Sequence, residues 1–222
     1  MKQEMKKLFP TILIFCVALT LFLPMRAEAA KKGKSGGISY TAYDTGNGIV
    51  LILKNPKNYV QNVSAKVVYY NSRNKMIGTS SDSNYALEGK KKCAMYFNAP
   101  YDSSYQDVEY DSFKVNINAE KEQNVVSMVS KISVSSDEGE ENVTVKVKNK
   151  AKEELFSVQV AIVWYDEDKN AIGYDYKHVE CTKPKSTDYI TFDFPHDSDY
   201  ETVYPDSYEI FVNDAYTYTW MK

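Results

Sequence analysis

The sequence predicts an all-β protein: two tandem immunoglobulin-like antiparallel β-sandwich domains behind an N-terminal signal peptide. Three observations carry this expectation. Tyrosine is abundant, 19 residues against 9 phenylalanines, which suits half-buried strands whose side chains keep one wet end. Apolar residues alternate with a period of two, and no helical period competes with it. Finally, one stretch occurs twice. Residues 100–118, with Pro100, Asp102, Ser103, Tyr105, Val108, Asp111, Ser112 and Asn118, return 95 positions later as Pro195, Asp197, Ser198, Tyr200, Val203, Asp206, Ser207 and Asn213. Eight identities in nineteen positions compare with about one expected from average residue usage. A folding unit written twice is the simplest source. At about a hundred residues each, the copies are long enough for separate cores.

Residues 1–29 have the make-up of a signal peptide. Lys2, Lys6 and Lys7 precede an apolar run over 8–23, and Ala27-Glu28-Ala29 supplies the small-residue cleavage pattern. The run is short for a spanning helix and contains Pro10, so a membrane association is expected only if this segment stays uncleaved. Phe15 is too bulky for the residue before a lipidated cysteine, which argues against Cys16 as a lipid anchor. The segment carries four basic and two acidic side chains, so its removal moves the net charge from −3 to −5. That balance argues against nucleic acid or an anionic bilayer as the main partner. Residues 30–37, with Lys31, Lys32 and Lys34 followed by Ser35-Gly36-Gly37, read as a flexible basic leader. The first repeat is placed at 38–122 and the second at 123–222.

Within the first repeat, residues 38–43 alternate like an edge strand, and Asp44-Thr45-Gly46-Asn47-Gly48 supplies a turn. The next strand contains Val50 and Ile52, which align at the 95-residue offset with Val145 and Val147, and this shared face is read as core. On the other face Ile49, Leu51 and Leu53 align with Thr144, Lys146 and Lys148. That face is expected to be wet in the second repeat and covered in the first, by the leader or the sister domain. Residues 63–70 and 158–165 are the most apolar strands. Period two puts Val63, Ala65, Val67 and Tyr69, or Val158, Val160, Ile162 and Trp164, into the core. Polar turns at 71–75 and 166–170 then lead into Ile77-Gly78 and Ile172-Gly173, a hairpin whose glycine accommodates a bend. Strands at 92–97 and 187–192 end at Pro100 and Pro195. Charged residues 119–124 mark the boundary, and 215–222 continue the last strand with Tyr216, Tyr218 and Trp220.

The segments Val67-Val68-Tyr69-Tyr70-Asn71 and Ile162-Val163-Trp164-Tyr165-Asp166, each followed by Ile-Gly, resemble the central strand of the FxLYD-type domains of exported bacterial proteins. Ile162 and Val67 stand where that motif has Phe, and Trp164 and Tyr69 where it has Leu. The resemblance implies an exported β-sandwich and carries no catalytic residues.

Two cysteines lie beyond the leader, Cys93 and Cys181, and they fall at non-equivalent positions. No disulfide within a repeat is expected, and a bridge between repeats would demand favourable geometry. Asp102, Asp107 and Asp111, or Asp197, Asp199 and Asp206, could gather around calcium. The competing reading is that they hydrogen-bond their own loop, which Tyr105 and Tyr200 would anchor as tyrosine corners. The histidines, His178 and His196, occur in no zinc-binding pair, and neither belongs to the first repeat. Asn62-Val63-Ser64 and Asn142-Val143-Thr144 match glycosylation sequons, taken as coincidences in a bacterial export context.

The expected function is that of a non-catalytic module, without cofactor or metal, secreted or held at the extracellular cell surface for protein interaction or spacing. The alternative is a carbohydrate-binding protein. There Tyr174, Tyr176 and His178, replacing Thr79, Ser81 and Ser83 of the first repeat, would stack on a sugar or form a protein hot spot. The partner class is thus an extracellular protein or a cell-wall glycan.

Overall fold

A computed structural model describes residues 30–221 apart from Tyr105 and Ser198. The signal-peptide expectation for 1–29 lies outside the described residues. The first sandwich comprises β1 (Lys31–Ser35), β2 (Ile38–Asp44), β3 (Gly48–Lys54), β4 (Gln61–Tyr70), β5 (Met76–Leu87), β6 (Lys92–Asn98) and β7 (Ser112–Lys121). The second comprises β8 (Val125–Ser127), β9 (Ile132–Glu138), β10 (Asn142–Asn149), β11 (Ser157–Tyr165), β12 (Ala171–His178), β13 (Thr187–Asp193) and β14 (Ser207–Tyr218). All pairings are antiparallel, in sheets ordered β1-β2-β3-β6 and β5-β4-β7, then β13-β10-β9 and β12-β11-β14-β8. Six strands are common to both units. Each unit adds one more at a different place: β1 borders β2 in the first, and β8 borders β14 in the second.

The strand β1 corrects the expectation of a flexible leader. Its five residues pair in register with β2, from Lys31 opposite Ala42 to Ser35 opposite Ile38. The strand 38–43 is therefore an inner strand. Gly36 and Gly37, both at positive φ, make the tight reversal that a β-carbon would oppose.

Each unit closes its own core. Val63, Ala65, Val67 and Tyr69 on β4, and Val158, Val160, Ile162 and Trp164 on β11, are buried as period two requires. Tyr69 donates its hydroxyl to the Phe97 carbonyl at 2.8 Å, and Trp164 meets Phe194 and Tyr208 edge-on. Ile77 and Ile172 are the extra residues of equivalent bulges in the hairpins. The glycines beside them serve packing: a β-carbon on Gly78 would lie 2.5 Å from Pro100, and one on Gly173 2.9 Å from Pro195.

The face assignment of β3 is inverted relative to the sequence expectation. Ile49, Leu51 and Leu53 lie inside the first core, while Val50 and Ile52 point outward. Their structural counterparts are Val143, Val145 and Val147, because Ile49 and Val143 face the equivalent Phe97 and Phe192. The offset is thus 94 residues in this strand, and one residue is gained in the loop after it. A slip of one position exchanges the two faces of a strand. Buried Asn55 and Asn149 mark the same point in the two copies, each bonding two backbone carbonyls through its amide and a nearby backbone N–H through its oxygen.

Outward-facing Val50 and Ile52 are covered by the second sandwich. With Ala94 they pack against Ala161, Val163, Tyr165, Ala171 and Phe211 in a third apolar cluster between the domains. Stripping water from each large side chain here contributes about 1.5–3 kcal/mol.

Candidate functional site

The domain junction is built from the outer faces of two sheets. Across it Tyr43 meets Tyr165 edge-on at 5.7 Å, and Tyr96 stacks on Tyr174 at 5.9 Å and 12°. Its polar centre is Asn213, the extra residue of a bulge in β14, where Gln159 opposes Asp214 and Val160 opposes Val212. The bulge aims both Asn213 and Asp214 at the first domain. Asn213 accepts from the Ala94 N–H at 2.9 Å and donates to the Ala94 carbonyl at 2.7 Å, closing both backbone groups at the edge of β6. Asn84 in turn donates to the Asn213 carbonyl at 2.7 Å.

Beside this pin a cleft of about 460 Å³ opens between the domains. Ser81, Asp82 and Ser83 of β5 form one wall, Tyr174 and Tyr176 of β12 the other, and Gln159 and Asp214 lie between them. Burial, with Asp82 opposite, raises the Asp214 carboxyl to about 6. Its Oδ1 is shielded from solvent and has no hydrogen-bond partner among the described residues.

The structure divides the three residues singled out from the sequence. Tyr174 belongs to the junction: it is stacked on Tyr96, donates to the Ala94 carbonyl at 3.2 Å, and burial pushes its hydroxyl well above the ordinary tyrosine range. Tyr176 is 50% exposed at the mouth of the cleft. His178, also exposed, meets Tyr176 edge-on at 6.1 Å beyond that mouth. Asp82, Gln159, Asn213 and Asp214 were missed by sequence reasoning. Asn213 is one of the eight repeated identities, yet Asn118, its match in sequence, sits on the surface and bonds Glu120.

No family model matches the chain. No curated protein matches it either. Among solved structures, red sea bream transglutaminase is similar at 12% identity with a TM-score of 0.22, over 72% of this chain and 27% of that protein. The chain therefore spans about a quarter of the solved protein's length, and so distant a likeness carries no inference about activity.

The aspartate-rich loops hold themselves together. Asp102 Oδ1 accepts from the N–H groups of Ser104 and Gln106, and Asp197 Oδ1 from those of Asp199 and Glu201. Asp206 is paired with Lys169 at 2.9 Å. The tyrosine-corner expectation fails at Tyr200, which is 88% exposed. Its positive φ of 63° turns the loop instead, and Val203 closes it by donating to the Pro195 carbonyl. Tyr105 lies outside the described residues. Cys93 and Cys181 are buried in separate cores, which overturns any bridge between the repeats.

Proposed function

We propose that this protein is an exported, non-catalytic interaction module in which the two sandwiches act as one rigid body and present the cleft between them to a partner outside the cell. The observation that carries this reading is the apolar cluster between the domains, reinforced by the Asn213–Ala94 pin. Spacers joined by a free linker need no such junction, whereas a composite binding surface does. Export is supported by the pattern of residues 1–29 and fits buried, unpaired thiols that an oxidising compartment leaves untouched.

Binding of the purified chain to cell-envelope fractions tests the proposal. The expected result is saturable binding that Tyr176→Ala with Asp82→Ala weakens at least tenfold, at unchanged far-UV circular dichroism. Binding indifferent to both changes removes the cleft from the proposal. N-terminal sequencing of the culture-medium form is expected to begin at Ala30. A second reading, a saccharide in the cleft, is favoured by the half-exposed ring of Tyr176 beside amide and carboxylate groups. Glycan-array signal that vanishes with Tyr176→Ala would establish it.

A further inference from the structure

The basic cluster at residues 31–34 takes on a new meaning once β1 is placed. Pairing with β2 puts Lys32 opposite Thr41 and Lys34 opposite Ser39. Ser39 faces Lys54 on β3, and Lys54 faces Lys92 on β6. Lys34, Lys54 and Lys92 therefore share one row across four strands, roughly 15 Å at the usual strand spacing. Lys32 stands two residues along β1. All four side chains are exposed, on the same sheet face that docks the second domain. They line a hollow of about 300 Å³ at that junction, together with Tyr43 and Glu209.

Glu209 holds Lys92 at 3.0 Å. The side chains of Lys32, Lys34 and Lys54 make no hydrogen bond or ion pair among the described residues. Like charges placed opposite one another across strands destabilise a sheet. Lysine is a usual guard on edge strands against unwanted pairing, which accounts for Lys32 and Lys34 on β1 and Lys92 on β6. It does not account for Lys54, on an inner strand directly opposite Lys92. In a chain of net charge −3, four cations gathered around one carboxylate call for an anion.

We propose that this hollow binds the phosphate groups of a flexible polyanionic chain, with Lys32, Lys34 and Lys54 supplying the contacts and Glu209, paired with Lys92, opposing them. Ammonium groups act as point charges for phosphate. A concave site in a negatively charged molecule favours a chain that threads in over a flat anionic bilayer, which the rest of the surface repels. Base recognition in single strands uses free aromatic faces. The tyrosine that lines this hollow from the sheet's outer face, Tyr43, is packed edge-on against Tyr165. The site is distinct from the cleft at Tyr176, and it stands or falls separately from the proposal made for that cleft.

Fluorescence anisotropy of labelled inorganic polyphosphate with the purified chain provides the test. The expected result is micromolar binding at low salt that Lys32→Gln, Lys34→Gln and Lys54→Gln together weaken at least tenfold. The slope of log Kd against log salt should flatten by about 2, at roughly 0.7 per lost single-strand phosphate contact. The charge-matched control Lys66→Gln, Lys146→Gln and Lys148→Gln should change affinity less than threefold. Glu209→Gln should tighten binding. Equal losses in both triple variants, no tightening with Glu209→Gln, or no binding at low salt overturns the proposal. So does tighter binding to anionic phospholipid vesicles or to single-stranded DNA. Relief of repulsion should leave the patch variant melting no lower than the parent.

Discussion

The two sandwiches are copies of one unit whose outer faces have diverged in opposite directions. On the central strand of the first, the outward residues are Ser64, Lys66, Val68 and Tyr70; on that of the second they are Gln159, Ala161, Val163 and Tyr165. In the first copy that face of β4 is exposed at Ser64 and Lys66, and the outer face that meets the sister domain is instead that of β3, with Val50 and Ile52. The interior of each unit keeps apolar side chains at equivalent positions, and the junction between them is built from positions that neither core uses. The same holds for the polar residues: Asn118 and Asn213 match in sequence at the 95-residue offset, but Asn118 sits in the regular ladder opposite Ser64 while Asn213 is the extra residue that a bulge lifts into the neighbouring domain.

Exchanging residues between equivalent positions is the sharpest way to break this comparison. Ala161→Lys restores the residue found at position 66 and places an ammonium group inside the junction. It is expected to cost about 4 kcal/mol or more, because a buried unpaired charge is among the most destabilising changes. Urea denaturation should then resolve two transitions where the parent shows one. The next effect depends on pH. In the first copy the register position of Asp214 is held by Asn118, so only the second copy carries this buried acid, facing Asp82 and close to Cys93 and Tyr216. Its carboxyl titrates near 6 in the folded chain against 3.8 in the unfolded one. The folded state holds the proton more tightly, so stability is complete below about pH 4 and declines as pH rises through 6. The loss is about 3 kcal/mol, since each tenfold difference in proton affinity between the two states contributes about 1.4 kcal/mol. Asp214→Asn should match the parent at pH 4 and exceed it by about that amount at pH 7.5 in urea midpoints at constant m; equal pH profiles would show that Asp214 is not the group responsible.

Smaller effects refine the contrast. Asn213→Ala strands the Ala94 N–H and leaves the Ala94 carbonyl to the Tyr174 hydroxyl alone, and is expected to cost about 2 kcal/mol, whereas Asn118→Ala should stay within about 0.5 kcal/mol. Comparable losses at the two positions would mean that the pin contributes nothing. Smallest of all, Lys66→Ala should leave the thermal midpoint almost where it was, since that side chain is exposed.

Much of each interior could be read directly from the residues. Alternation in 63–69 and 158–164 placed eight core side chains on the correct face, because a sheet buried on one side leaves a period of two. In β3 the same logic misled, since Gly48–Lys54 is buried on both faces but for its last residue, and a strand with two dry sides carries no alternation to read. The repeat offset then broke the tie wrongly, for the loop after that strand differs in length between the copies. The apolar run Val160–Tyr165 held a usable sign of the junction, as it too lacks alternation. Asn213 gave no such sign: a bulge is set by how two strands register, and neither strand records it alone.

Each hydrophobic interior encloses a single thiol, Cys93 in the first and Cys181 in the second, and burial raises both ionisations, that of Cys93 well above its ordinary range. The molecule consequently carries its own stopwatch. A thiol-specific reagent can reach either sulfur only during excursions that open the surrounding β-layers, so mass-resolved labelling at the two sites times each half's breathing independently and tells whether the halves breathe together.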